Sequence, residues 1–233
     1  MQRRTFLTAT GMAALAYKAP LFRYMENTSI AAPHKLHKPK RLQAGMTVGL
    51  IAPASSFTPE KLAAARANLT TLGLNIRESA NLHAQNGYFA GTDAQRLSDL
   101  HWAFESPDID AIWCIRGGYG CSRLLPMIDF KKIARNPKVF IGYSDVTALH
   151  LAIQQHTGLV TFHGPVAASE FPENTLQHFR SVVMDPVANY TVRIPDASAL
   201  PADEVYQPFL ITPGRATGAL SGGNLTLLAA LVG

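Results

Sequence analysis

Five short apolar runs alternate along this chain with segments of helical periodicity, and that alternation restricts the fold more than any single motif. "TVGLIAPAS" (Thr47 to Ser55) reads as a buried strand running into a loop of small residues. Thr58 is placed to cap a helix with Pro59 at its first position, and Gly73 stops it after "EKLAAARANLTTL". "LNIRES" reads as a second strand. Thr92-Asp93-Ala94-Gln95 has capping-box spacing and opens the helix "DAQRLSDLHWAFES", with Leu97, Leu100, His101 and Phe104 on one face. "DAIWCI" (Asp110 to Ile115), "KVFIG" and "LVTFHGP" read as strands three to five. Between them lie the loop "RGGYG", a helix around "SRLLPMI", and the helix "DVTALHLAIQQH" closed by Gly158. The expected class is α/β: a parallel sheet with helices on both faces, flavodoxin-like. In such sheets the working groups gather at the carboxyl ends of the strands, where Ser55, Gly117-Gly118 and Ser144 all fall.

The flanks read differently. Residues 166–210 are rich in Pro, Asp, Ser and Glu and are expected to be a linker with one helix at most. Residues 211–233 ("RATGALSGGNLTLLAALVG" at their end) start a new element, read as the beginning of a further, incomplete domain. Its apolar pattern leaves Leu225, Leu228, Ala229 and Leu231 in need of a surface. At the other end "MQRRTFLTATGMAALA" combines paired arginines, an apolar run and Ala14-Leu15-Ala16. Residues 1–16 therefore read as a twin-arginine export signal, 17–41 as a tether and 42–165 as the α/β domain. The expected location is periplasmic or otherwise exported; a cytoplasmic protein with a basic, frayed end is the alternative. No apolar run approaches the roughly 18 residues of a spanning helix, so no integral membrane segment is expected after signal removal.

Charge follows the same division. The whole chain carries a formal +5, but residues 1–43 hold eight Lys/Arg against the single acid Glu26. The remaining 190 residues have 13 bases and 15 acids, so the expected folded part is close to neutral and shows no nucleic-acid footprint. Cys114 and Cys121 are the only cysteines; one ends an expected strand and the other opens the next helix, which reads as two small buried hydrophobes. No Cys/His spacing fits a metal, and none is expected.

Two stretches carry chemistry. "RGGYGCSR" (Arg116 to Arg123) is a glycine loop between strand and helix, suited to cradling a phosphate on backbone N–H groups. The dinucleotide fingerprint would need glycine at position 123, where Arg stands, and no Lys-Ser/Thr follows as in a Walker loop, so no cofactor is expected. The same loop suits presenting donors to an oxyanion, or merely turning the chain. "KVFIGYSDV" hands Ser144 from a strand end to a helix start. There the hydroxyl sits in the positive end of the helix dipole and the Asp145 N–H shares its space. A plain N-cap serine reads the same way, and G-x-S-x-G is absent. A nucleophilic serine needs a base. Of His83, His101, His150, His156, His163 and His178, none stands in an evident His–acid pair. His150 is expected to point away from Ser144, and His101 to be a core residue.

"LQAGMTVGLIAPAS", "GYFAGTDAQRLSDLHWAF", "AIWCIRGGYGCSRLLPMIDF", "KVFIGYSDVTALHLAIQQHTGLVTFHGP" and "GALSGGNLTLLAALVG" together resemble the LD-carboxypeptidase family. This is the murein tetrapeptide carboxypeptidase group, which includes the microcin C self-immunity peptidases. The resemblance runs from about Leu42 to Gly233 and covers the family's N-terminal part only. It implies a serine peptidase with a Ser-Glu-His triad and no metal or cofactor. Ser144 would be the nucleophile, and the backbone N–H groups of Asp145 and Gly118 the oxyanion donors. The implied substrate is the peptidoglycan stem tetrapeptide, cut between meso-diaminopimelate and the terminal D-alanine. The family's glutamate and histidine lie beyond the "GGNL" block and have no matching position here. The expectation is therefore a family member truncated before its triad is complete and inactive alone. The alternatives are a non-catalytic remnant that binds muropeptides, a microcin-type immunity peptidase acting on acylated nucleotide analogues, and a flavodoxin-like nucleotide binder. A homodimer is left open.

Overall fold

The computed structural model describes residues 35–191, 213–215, 217 and 221–232. The expected export signal and most of the tether lie outside the described residues. Five parallel strands form one sheet: β1 (Thr47–Ile51), β2 (Asn75–Glu78), β3 (Ala111–Cys114), β4 (Val139–Gly142) and β5 (Phe162–His163). Their order is β2-β1-β3-β4-β5, the flavodoxin-like order, so the direction of winding reverses between β1 and β3.

Among the described residues six α-helices accompany the sheet: α1 (Pro59–Thr71), α2 (Asp93–Glu105), α3 (Phe130–Arg135), α4 (Thr147–Thr157), α5 (Glu173–Phe179) and α6 (Leu225–Ala230). The pleat sorts the core into two layers, since successive strand residues face opposite sides. Val48, Leu50, Trp113 and Ile141 pack with Leu62, Ala65 and Leu69 of α1. Ile51, Ile112, Cys114 and Phe140 pack on the other face with Leu100 and Phe104 of α2, Ile133 of α3 and Ile153 of α4. Both cysteines are buried and free, as their positions suggested.

The α2 capping box forms in full. Thr92 Oγ1 accepts from the Gln95 N–H at 3.3 Å, and Gln95 Oε1 accepts from the Thr92 N–H at 2.9 Å. Thr92→Ala should cost about 1 kcal/mol in urea unfolding, the usual worth of an N-cap hydroxyl; a change below about 0.3 kcal/mol would mean that water replaces the cap without loss. α1 starts where expected, but the Thr58 side chain accepts no helix N–H.

Three stretches depart from the pattern reading. "SRLLPMI" is not an α-helix but a 3-10 helix, Cys121–Met127, since in an α-helix the Pro126 ring would clash with the Ser122 carbonyl. A separate α3 then follows, capped by Asp129, whose Oδ1 accepts from the Lys131 N–H at 3.0 Å. Ala167, Ala168, Phe179, Val183 and Met184, from the stretch read as a linker, are buried in the α1 layer, and Val166 beside them is buried too. Phe179 stacks on Trp113 with ring centroids 4.9 Å apart. These apolar residues are scattered among Pro, Glu and Asp, so composition hid them.

α6 carries the face expected to lack cover. Asn224 caps it, with Oδ1 accepting from the Leu227 N–H at 3.2 Å, and the Asn224 N–H donates to Thr147 Oγ1 at 3.0 Å. That contact seats α6 against the start of α4. Leu227 packs against the core, whereas Leu225 is 78% exposed and Ala229 and Leu231 are exposed with it.

Candidate active site

The carboxyl ends of β1, β3 and β4 converge on Ser144. The chain leaves β4 at Gly142, and Ser144 takes φ +60°, one of two non-glycine residues with positive φ among those described. A left-handed serine costs roughly 1–2 kcal/mol and persists only where the surroundings fix it. Here they do. The buried Asp145 carboxylate accepts the Cys121 N–H at 2.8 Å, and the Val146 N–H reaches the Tyr143 carbonyl at 3.3 Å. Ser144 thus opens a short 3-10 turn (Ser144–Val146) that leads into α4, rather than standing within the first α-helical turn.

The loop after β3 lies directly against this turn. A Cβ on Gly117 would stand 3.0 Å from Ser144 Cβ and 3.4 Å from its Oγ. Gly118 has φ +120°, and a Cβ there would run into the Ser55 side chain and lie 2.9 Å from the Tyr88 hydroxyl. Ser55, at the end of β1, donates its Oγ–H to the Gly117 carbonyl at 2.8 Å. Of the three positions singled out at strand ends, the Gly117-Gly118 loop therefore lies between the other two, against Ser144 on one side and Ser55 on the other. Among the described residues, no backbone acceptor takes the N–H of Asp145 or of Gly118.

The histidines are not part of this centre. His150 is 5% exposed, its Nε2–H donates to the Gly142 carbonyl at 2.9 Å, and its ring packs edge-on to Phe140. Burial holds its pKa down to about 4, so the ring is neutral near pH 7. His101 is not a core residue: it is partly exposed and accepts the Asp129 N–H at 3.1 Å. His83 meets Glu78, His156 stacks on Phe130, His178 bonds Tyr190, and His163 lies edge-on to Tyr143. Among the described residues none of the six is hydrogen-bonded to Ser144, and no group of three or more His, Cys, Asp or Glu could hold a metal. No described helix is long and apolar enough to cross a membrane.

Behind the loops sits a group that motif reading passed over. Arg96 is 1% exposed, and its Nη1 donates to the Pro53 carbonyl at 2.6 Å and the Gly120 carbonyl at 3.0 Å. Its Nη2 pairs with Asp93, which also takes Arg123 Nη2 at 2.6 Å. Both guanidiniums lie over the Phe89 ring, at 4.9 and 5.3 Å from its centroid. One buried cation thus ties the β1 loop to the glycine loop. The signal was present: Arg96 shares a helical face with Leu100 and Ala103, a basic residue on an apolar stripe. Outside the pair of loops, Tyr88, Tyr119 and Tyr143 are 52%, 54% and 42% exposed and rim the centre. A cavity of about 710 Å³ lies beside it, along β5, lined by Phe162, His163, Phe179 and Gly223 but not by Ser144.

Comparison with known proteins agrees with this fold. The family model described as LD-carboxypeptidase N-terminal domain matches residues 48–164, which includes both loops and Ser144. A probable murein peptide carboxypeptidase of Bacillus subtilis is 41% identical over 197 residues, 84% of this chain and 60% of the relative. The murein tetrapeptide carboxypeptidase of Pseudomonas aeruginosa is 39% identical over 191 residues, 80% of this chain and 60% of the relative. The wild-type apo structure of a microcin self-immunity protein superposes with a TM-score of 0.70 at 25% identity, covering 84% of this chain and 65% of that one. The chain spans about 60% of the length of these curated relatives. With the family model matched over half of its residues, and with the sheet order and loop positions found here, the chain belongs to the LD-carboxypeptidase family, whose N-terminal domain it carries.

Proposed function

We propose that Ser144 is the nucleophile of a serine-type carboxypeptidase that removes the terminal D-alanine from peptidoglycan stem tetrapeptides. The observation that carries this reading is the left-handed turn at Ser144, held by Asp145 and Cys121 and pressed against Gly117. Strained strand-to-helix turns of this kind lift a hydroxyl clear of its own backbone. The backbone N–H groups of Asp145 and Gly118 then supply the oxyanion site for the tetrahedral intermediate. Ser144 Oγ adds to the carbonyl of the L-centre of diaminopimelate, D-alanine leaves with a proton, and water releases the acyl group from Ser144.

The proton needs a base, and none of the described histidines is bonded to Ser144. The chain spans about 60% of the length of its curated relatives, and we assign the base and its partner carboxylate to the part of the family that these residues do not match. The 233 residues alone then bind the tetrapeptide without turning it over, since a triad enzyme that loses a member keeps only what oxyanion hole and binding supply.

The test is D-alanine release from the stem tetrapeptide by the 233-residue chain and by Ser144→Ala, with amide shifts of Ser144 and Gly118 followed by NMR. The expected result is tetrapeptide-dependent shifts without release. Release that disappears in Ser144→Ala would keep the nucleophile but place the base within these residues. Release unchanged by Ser144→Ala would overturn the assignment of Ser144.

A further inference from the structure

We propose that Arg116 is the residue that selects a free carboxylate at the end of the peptide, and so makes the site an exopeptidase. The inference rests on the function proposed above and names a specificity residue for it. A carboxypeptidase must hold the charged end of its substrate one residue beyond the scissile carbonyl, about 3.8 Å along the chain. The cation that does so must stand next to the oxyanion loop, be open to the ligand, and keep donors free.

Arg116 meets each condition. It directly precedes Gly117 and Gly118, and so emerges where the loop touches Ser144 on one side and Ser55 on the other. Its side chain turns toward the β1 side, where Nη1 donates to the Ser56 carbonyl at 2.7 Å. Ser56 is in turn anchored, with its N–H on the Tyr88 carbonyl at 3.1 Å. That side is the crevice between β1 and β3, where the winding reverses and where ligands of such sheets bind. One nitrogen fixed on a backbone carbonyl sets the plane of the guanidinium. A carboxylate can then be met by the remaining fork, two parallel charge-assisted bonds in a fixed direction.

The neighbouring cations are committed elsewhere. Arg96 and Arg123 are both paired with Asp93, and Arg96 is buried. Arg116 is exposed, and among the described residues it has no carboxylate partner. A guanidinium pinned at the mouth of a crevice without an anion is one poised to receive it.

The experiment compares two ligands on the 233-residue chain by NMR titration: the stem tetrapeptide ending in D-alanine and the same peptide ending in D-alaninamide. The wild type should prefer the free acid by about 10- to 100-fold in Kd, the scale of a hydrogen-bonded charged group. Arg116→Ala should bind both alike, with the amide affinity unchanged. Arg116→Lys, which keeps the charge but not the fork, should restore a preference of less than about 10-fold. Equal affinity of the wild type for both peptides, or a preference that survives in Arg116→Ala, would overturn the role of Arg116 and leave the proposed function standing. No shift with either peptide would overturn both.

Discussion

Replacing Arg96 by alanine should destabilise the fold by about 3–5 kcal/mol, since two buried carbonyls lose their donor and a large buried side chain is removed. A domain of this kind is held by roughly 5–15 kcal/mol, so the loss is a large part of the total. The reason lies in what the guanidinium satisfies. Two carbonyls, Pro53 and Gly120, come from loops that follow different strands, and Nη1 of Arg96 is the donor shared between them. Alanine leaves both carbonyls without that donor, strands Asp93 with Arg123 alone, and empties the space beside Phe89. Each buried polar group left without its partner costs about 1–3 kcal/mol. Arg96→Lys should recover part of the loss, because an ammonium reaches one carbonyl and Asp93 but cannot span the set. Equilibrium urea unfolding measures the difference. A cost below about 1 kcal/mol in Arg96→Ala would mean that water fills the gap and that the loops are held by their own backbone.

The effect should also reach the site. Gly120 closes the loop that begins at Gly117, and Pro53 lies two residues before Ser55, the residue that holds the Gly117 carbonyl. Loosening either end moves the Gly118 N–H relative to Ser144. In the proposed reaction that N–H is an oxyanion donor, and such donors have to be in place before charge develops, so a shift of tenths of an ångström matters there in a way it would not on the surface.

The sheet was legible because its signal is repeated: five apolar runs, each bounded by turn residues, leave little room for another arrangement. The convergence of Ser55, Gly117-Gly118 and Ser144 followed from topology, since parallel strands end on one side. The left-handed turn at Ser144 could not be read, because serine occupies many turns and φ is set by contacts far along the chain, such as that of Asp145 with Cys121. The burial of Val166 to Met184 was hidden for a related reason. A helix and π-turn that dock by a few residues, Phe179, Val183 and Met184, need no sustained period to do so. Arg96 was passed over because a basic residue on an amphipathic helix is usually solvated, and only its place on the Leu100 stripe marked it out.

Acid should unfold this chain earlier than its carboxylates alone would require, and His150 is the reason. Its pKa falls from about 6.5 to about 4 on folding, chiefly because burial penalises the imidazolium. The Gly142 carbonyl that accepts its Nε2–H opposes the shift, and the nearby His163 adds to it; Nδ1 is buried and has no partner. Between those two values the unfolded chain binds a proton that the folded one does not, so stability rises with pH there and is lost as pH falls. The separation corresponds to about 3 kcal/mol at 1.36 kcal/mol per pH unit. The loss should begin near pH 6.5, be complete near pH 4, and add no further slope below that. His150→Gln removes the titrating ring while its amide can still donate to Gly142, so the variant should show a flatter profile over that window. The loss also concerns the site, since Gly142 is the last residue of β4 and stands two before Ser144. Urea midpoints measured from pH 4 to pH 8 in both proteins decide the matter. Parallel curves would show that His150 takes up its proton without leaving the fold, with the buried edge of α4 opening to water instead.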